Sequence, residues 1–413
     1  MSPRMWKPEL LAPAKNLERL RVAIAYGADA VYVGGQRYGL RARADNFTDS
    51  ELTTGVTEAH RHGVKLYVTL NAFLHDEDFA GFADYCQFLD DIGIDAVIVS
   101  DLGVIRAIQA ASNLTIHLST QASCLNRYAA KLWKQVGVER IVVGRELSVA
   151  EGGMIQRACD IEIEMFIHGA MCMAYSGNCT ISNFMQGRDS NRGGCVQSCR
   201  LPYRVEDESG ALEAEADTIL SSTDLWGIGS IESFFQERIC SLKVEGRMKS
   251  SFYVAMICRV YRRLIDAYAA GNLTPELYSQ AAAELESAPH RDFGTGSLQG
   301  PAQADTVYHQ VGWMNEGDHK YLGIVLETTP EYIVMKVATA LKVGDEIELV
   351  PVRGKPISWR VSALRTVVGD PVDSIRQDNV VCLPKAMMPP GSEAIATNHV
   401  ARIAATERKL ASV

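Results

Sequence analysis

Short apolar runs alternate with amphipathic stretches through about 250 residues of the chain, and this βα rhythm constrains the fold more than any other feature. Strands are expected at Glu9–Pro13, Ala30–Val33, Lys65–Leu70, Ala96–Ser100, Thr115–Leu118, Arg140–Val143, Ile163–Ile167 and Ser241–Val244. Amphipathic segments such as Leu17–Tyr26 and Asn126–Val136 lie between most of them. Gly27, Gly63, Gly93 and Gly137 stand where a helix would end on a C′ glycine. Eight strands in this order predict an α/β fold, a (β/α)8 TIM-like barrel rather than an open sheet. Active sites of such barrels form at the C-terminal ends of the strands. After strands two to eight come Gly34 and Gly35, Asn71, Asp101, Ser119 and Gln121, Arg145 and Glu146, His168 and Gly169, then Glu245 and Arg247. Polar residues are common in any loop, so the weight lies in the whole run.

The stretch 166–203 follows strand seven as an insertion, which places it over the mouth of the expected barrel. It carries Cys172, Cys179, Cys195 and Cys199, separated by six, fifteen and three residues, among polar and glycine residues such as Ser176, Gly177, Asn178, Gly193 and Gly194. Such surroundings suit a ligand cage better than thiols packed in a core. By count, four thiolates suit a structural zinc or an iron–sulfur cluster equally. The spacing favours the cluster, because only the last pair is close. Cys240, just before strand eight, is the ambiguous cysteine; it could replace one of the four ligands or do nothing.

Leu225–Gln236 and Ser251–Ala270 read as helices, Ser209–Asp217 as a surface connection or short hairpin, and Pro275–Ser287 as one more helix. The stretch from Pro289 to Thr306 is rich in Gly, Pro and polar residues. Beyond it YLGIVLE, YIVMKVA, DEIELV, WRVSAL, VVCLP and AIA are short alternating runs. The expected organisation is a barrel over 1–290 with the insertion at 166–203, a linker over 291–318, and a small antiparallel β-barrel over 319–413. No apolar run reaches the roughly 20 residues needed to span a membrane, and MSPRMWKPELLAPAKN has no signal-peptide core, so a cytoplasmic protein with reduced thiols is expected. The net charge of −9 argues against binding nucleic acid with the whole surface and leaves room for a local basic site.

Basic residues gather near the proposed mouth: Arg41, Arg43, Arg145, Arg188, Arg192, Arg200, Lys243, Arg247 and Lys249. Guanidinium forks pair with carboxylates or phosphates, so the cluster suits an anionic substrate. Any single Arg of this kind is more often a solvated surface cation. Arg145 and Arg247 are the firmer candidates, since each closely follows a strand and has Glu146 or Glu245 near it. His117 and His168 fall at strand ends; a lone histidine there is commonly structural, and His168 stands out by lying four residues from Cys172.

These residues bring a family into view. HGAMCMAYSGNCTIS resembles the signature of the collagenase-like peptidase family U32, and ELLAPAKN, YGADAVYVGG, HLSTQAS, RDSNRGGCVQSC and LKVEGRMKS are similar to further blocks of it. The resemblance covers about residues 6–270 with specific motifs. KPELLAPA, YGLRARADNF and VGRELS are most similar to its tRNA-hydroxylating branch. The resemblance implies oxygen-independent, prephenate-dependent hydroxylation of the tRNA wobble uridine to 5-hydroxyuridine, with a [4Fe-4S] cluster on Cys172, Cys179, Cys195 and Cys199. On this reading Arg41, Arg43, Arg145, Lys243 and Arg247 pair with the carboxylates of prephenate or a similar dicarboxylate. Asn71, Gln121 and Arg188 are further substrate contacts, His168 or Glu245 moves protons, and Arg145 belongs to the catalytic set. The partner is the anticodon arm of tRNA. The chain contains no H-E-x-x-H and no G-x-S-x-G, which weakens the rival, a peptidase. A non-catalytic RNA-binding or assembly factor with a structural cluster is the third reading.

Overall fold

The computed structural model describes residues 6–40, 45–206, 212–303, 306 and 319–403. Eight parallel strands close into a barrel. They are β1 (Glu9–Pro13), β2 (Ala30–Val33), β3 (Lys65–Leu70), β4 (Ala96–Val99), β5 (Ile116–Leu118), β6 (Arg140–Val142), β7 (Glu162–Ala170) and, after a long excursion, β11 (Ser241–Val244). Closure is made by β11, which pairs in parallel with β7 and with β1. The outer ring begins with α1 (Leu17–Ala25), α2 (Asp49–Arg61), α3 (Phe82–Asp91), α4 (Leu102–Ala111), α5 (Arg127–Gln135) and α6 (Val149–Cys159). Their starts are written locally: Asn16, Thr48, Asp101, Asn126 and Ser148 each accept backbone N–H groups of the first turn, Thr48 and Ser148 through full capping boxes. Alternate strand residues point inward. Leu11, Ala30, Tyr32, Tyr67, Ala96 and Ile98 pack together as the barrel's interior, small residues making room for the two tyrosines.

Between β7 and β11 come α7 (Ile181–Gln186), the hairpin β8 (Tyr203–Glu206) with β9 (Leu212–Asp217), β10 (Asp224–Trp226) and α8 (Ile231–Gln236). The helix expected over Leu225–Gln236 therefore begins only at Ile231. Leu225 and Trp226 instead pair antiparallel with Gly169 and His168, because β7 runs past the rim and its backbone groups need partners. The two-residue strand β12 (Phe293–Gly294) pairs with β10. Two helices, α9 (Ser251–Ala269) and α10 (Pro275–Glu286), complete the wall. Of the expected linker, residues 291–303 lie against the barrel: Arg291 pairs with Asp224, and Leu298 accepts the N–H of Val149.

The C-terminal region is a curled antiparallel sheet of eight strands, among them β13 (Lys320–Thr328), β14 (Tyr332–Val337), Glu346–Val350, Ile357–Arg360, Val380–Pro384 and Val400–Ile403. Ala394–Ala396, expected as a strand, is a turn instead; the strand follows at Val400–Ile403, beside β13. The sheet has its own core around Leu322, Met335, Ile347 and Leu383, while Ile324, Val350 and Val400 join the core of the barrel. Tyr26 on the barrel donates its hydroxyl to Val350 O (2.5 Å) and accepts the N–H of Val400 (3.0 Å). No described helix is long and apolar enough to cross a membrane.

A candidate active site at the barrel mouth

The inward residues at the N-terminal ends of the strands form a floor of paired charges. Arg140 bonds Glu9 (2.6 Å), Glu162 (2.8 Å) and Glu164 (3.4 Å), and Glu9 also accepts from Tyr67 (2.8 Å) and Ser241 (2.9 Å). Burial opposes the Arg140 charge, but Glu9, Glu164 and their neighbours outweigh it and its pKa is raised. Lys243, expected among the substrate contacts, belongs to this network. Its ammonium lies 2.7 Å from the fully buried Glu164 and against the rings of Tyr32 and Phe166. As placed, it is the counter-ion of Glu164 rather than a cation waiting at the rim. His117 is also interior. It packs on Tyr67, and burial, with Arg140 and Lys243 near, keeps it neutral.

Above the floor the rim residues differ. Arg145 stacks its guanidinium 3.9 Å above the Phe166 ring, and its buried Nε has no partner among the described residues. Arg247 is buried, donating to Thr69 Oγ1 (3.2 Å) and Asn46 Oδ1 (3.1 Å). A Cβ on Gly34 would stand 2.6 Å from Arg247 Nη1, so a glycine there lets the guanidinium cross the rim. Burial raises the pKa of the Tyr32 hydroxyl, and Glu245, Arg247, Arg145 and the floor's Glu164 all act on it electrostatically. Across the mouth Asn71 Nδ2 donates to Gln121 Oε1 (3.2 Å), leaving Asn71 Oδ1 buried and without a partner among the described residues. A rim holding two guanidinium groups and an open amide acceptor can take a small anion beside a hydrogen-bonding base.

His168 is not brought to this point. The β7–β11 register pairs Lys243 with Phe166 and Val244 with His168, so β7 holds one extra residue. That bulge turns the side chain to the opposite face. His168 sits under α9, its Nδ1 3.1 Å from Tyr261 Oη, among Tyr253, Tyr261 and Phe293. Burial lowers its pKa to about 3.

The insertion is tied to the mouth at several points. Glu146 accepts from Ser176 N (2.6 Å) and Oγ (3.1 Å), and Asn178 donates to Gln121 O (3.3 Å) and Ser123 Oγ (3.1 Å). Arg200 clamps both ends: it donates to Met171 O (2.7 Å), where the chain leaves β7, and to Ser221 Oγ (2.8 Å) and Ser222 O (2.9 Å), before β10. This clamp joins sequence positions flanking Cys172 and Cys199. Burial raises the pKa of Cys199; Arg200 opposes this, while Cys172, Cys195 and Cys179 raise it further, so these three lie within electrostatic reach of Cys199. No three His, Cys, Asp or Glu side chains among the described residues close to single-ion distance. Four soft sulfur donors gathered on a polar loop, with the Arg200 cation beside them, fit the anionic thiolate set of an iron–sulfur cluster. Cys240 lies at the other end of the barrel: its Sγ is 2.9 Å from Ile163 O, beside Glu162 at the start of β7. It cannot substitute in the set.

Arg41 and Arg43 lie outside the described residues. Arg188 is half-buried, two residues beyond α7. Sequence reasoning passed over Tyr32 and Phe166, which read as core residues, and the clamp of Arg200, whose partners lie more than twenty residues on.

Comparison with known proteins places the chain. The Peptidase family U32 profile matches residues 15–307. The tRNA hydroxylation protein P1 of Bacillus subtilis is 43% identical over 352 residues, 83% of each chain. The 23S rRNA 5-hydroxycytidine C2501 synthase of Escherichia coli is 39% identical over 259 residues, 63% of this chain and 39% of that one. The collagenase of Porphyromonas gingivalis is 33% identical over 308 residues, 71% of this chain and 73% of that one. The barrel, its cysteine-bearing insertion and these matches together make this chain a member of peptidase family U32.

Proposed function

We propose that this chain is an RNA-modifying enzyme that hydroxylates C5 of a pyrimidine, acting on the wobble uridine of tRNA with prephenate or a similar dicarboxylate as co-substrate. Relatives named for tRNA hydroxylation and for 5-hydroxycytidine synthesis in rRNA share this chain's barrel sequence. The observation that carries the reading is the cysteine-bearing loop, tied through Asn178 to Gln121 O at the same end of the barrel where Arg145 and Arg247 follow their strands.

On this reading Cys172, Cys179, Cys195 and Cys199 hold a [4Fe-4S] cluster, which when bound supplies the electron-transfer chemistry. The chain's own residues bind and orient. Arg145 and Arg247 take the carboxylates, the first held flat by Phe166 and the second by Thr69 and Asn46. The Asn71–Gln121 pair offers hydrogen bonds to the edge of a base turned out of its stack. Glu245, directly after β11, is the carboxylate at this end of the barrel that would hold or move a proton. A thiol peptidase would need a histidine against a cysteine. His117 is committed to the ring of Tyr67 and His168 to Tyr261, which favours the RNA reading over that rival.

The test uses protein purified without oxygen and tRNA nucleosides analysed by mass spectrometry. Cys179→Ser should lose iron and 5-hydroxyuridine together, whereas Cys240→Ser should keep both. Hydroxylation that survives in Cys179→Ser overturns the proposal.

A further inference from the structure

The segment between the second and third of these cysteines has no part in the site so far. Residues 179–191 close on themselves. Cys179 N donates to Asn191 Oδ1 (3.3 Å) and Asn191 Nδ2 returns a bond to Cys179 O (3.1 Å), while Asn183 Oδ1 accepts Ser190 N (3.0 Å) and Oγ (3.0 Å). This is a compact loop with joined ends, packed by its own side chains. Its foot is fixed above the loops that carry Asn71 and Gln121. Asn178 bonds Gln121 O and Ser123, Phe73 N donates to Asn191 O (3.0 Å), and Arg192 donates to Phe73 O (2.8 Å).

At the tip, α7 carries Phe184 with 90% of its surface exposed, beside Met185 at 48%. These two, with Ile181, Tyr203 and Leu220, border an open groove of about 650 Å³. A large ring left in water on a rigid loop costs free energy that a bound partner would recover. The groove's seven lining residues are too few for a stable protein interface, which takes about 800 Å² and roughly 20 residues on each side. They are enough for one or two unstacked bases. Arg188, two residues beyond α7 in the same closed loop and half-buried, has no carboxylate in ion-pair range among the described residues, in a chain whose net charge is −9. Exposed aromatic faces, with cationic side chains on the same surface, are the usual platform for single-stranded nucleic acid.

We infer that Phe184 is a stacking platform for an unpaired RNA base neighbouring the one that enters the barrel, with Arg188 holding the adjoining phosphate. The inference rests on the RNA reading above and names a surface that reading does not require. It explains how an acidic protein grips a polyanion, by a small aromatic and cationic spot on a fixed loop.

The experiment titrates a synthetic anticodon stem–loop, and a fully paired duplex of the same length, against the full chain by fluorescence anisotropy at two salt concentrations. Phe184→Ala should weaken loop binding about tenfold and leave duplex binding unchanged, and Phe184→Trp should restore it. Arg188→Gln should weaken loop and duplex alike and flatten the salt dependence. Iron content and melting temperature should stay at parental values in all three variants. Loop binding by Phe184→Ala as tight as the parent's overturns the inference alone, as does a parent whose self-association in sedimentation disappears in Phe184→Ala, since the occupant is then a second copy. A parent that binds neither RNA overturns the RNA reading with it.

Discussion

The two ends of the barrel use the same residue types to opposite effect. At the floor Arg140, Lys243, Glu9, Glu162 and Glu164 close on one another, and the charges of the buried residues are committed within the network. At the rim Arg145 keeps a buried Nε, and Asn71 a buried oxygen, without a partner among the described residues. Unsatisfied buried polar atoms are costly. The charged groups of the floor are paired with one another, although His117 Nδ1 beside them also lacks a partner among the described residues.

The largest effect should come from breaking the floor. Glu164→Ala strands Lys243 and removes one partner of Arg140, and should cost about 3–5 kcal/mol in urea unfolding; a loss below about 1 kcal/mol would show that the floor is not the closed network described. At the rim the sign reverses. Arg145→Ala should barely change stability, yet lower kcat/KM for the dicarboxylate about thirtyfold, the worth of about 2 kcal/mol in bonds to a charged group. A large drop in melting temperature with unchanged kinetics would make Arg145 part of the floor's architecture. His168 tests the wall between them. Its folded pKa is depressed, from 6.5 to about 3. The unfolded state therefore binds the extra proton, and stability present above pH 6.5 drains away as pH falls toward 3, by about 1.4 kcal/mol per pH unit. His168→Phe should flatten the melting temperature between pH 6.5 and 4, and an unchanged slope would point to another group. The smallest effect is expected at Thr69→Val, which frees one arm of Arg247. The KM for the dicarboxylate should rise about fivefold, for about 1 kcal/mol, with stability near that of the parent.

Much of the frame is legible in the sequence because it is local. The bounds of β1, β2, β3 and β11 follow from apolar runs set between turn residues, and caps such as Asn126 and Ser148 announce their helices within three residues. The four cysteines stand out in the sequence for the same reason, by their spacing within one loop. The face presented by His168 is not legible there, because a single extra residue in β7 inverts it and nothing in the run EMFIHGA marks where the bulge falls. Nor is the fate of Lys243, whose partner Glu164 lies 79 residues earlier. Both have the composition of a catalytic rim, and only the register of paired strands separates them from it.

The hydroxyl of Tyr26 has a consequence for how the molecule comes apart. It holds the carbonyl of Val350 and the amide of Val400, while Arg259 on α9 reaches Pro351 O (3.0 Å) and Arg402 returns to Ser287 beyond α10 (3.1 Å). The curled sheet is thus stitched to the barrel through its backbone as well as its side chains, and the apolar residues on either side of the seam belong to one cluster. Severing the chain between Gln303 and His319 would leave two pieces that stay together in solution. Heating the intact chain should give a single calorimetric peak, with the sheet and the barrel melting in one event.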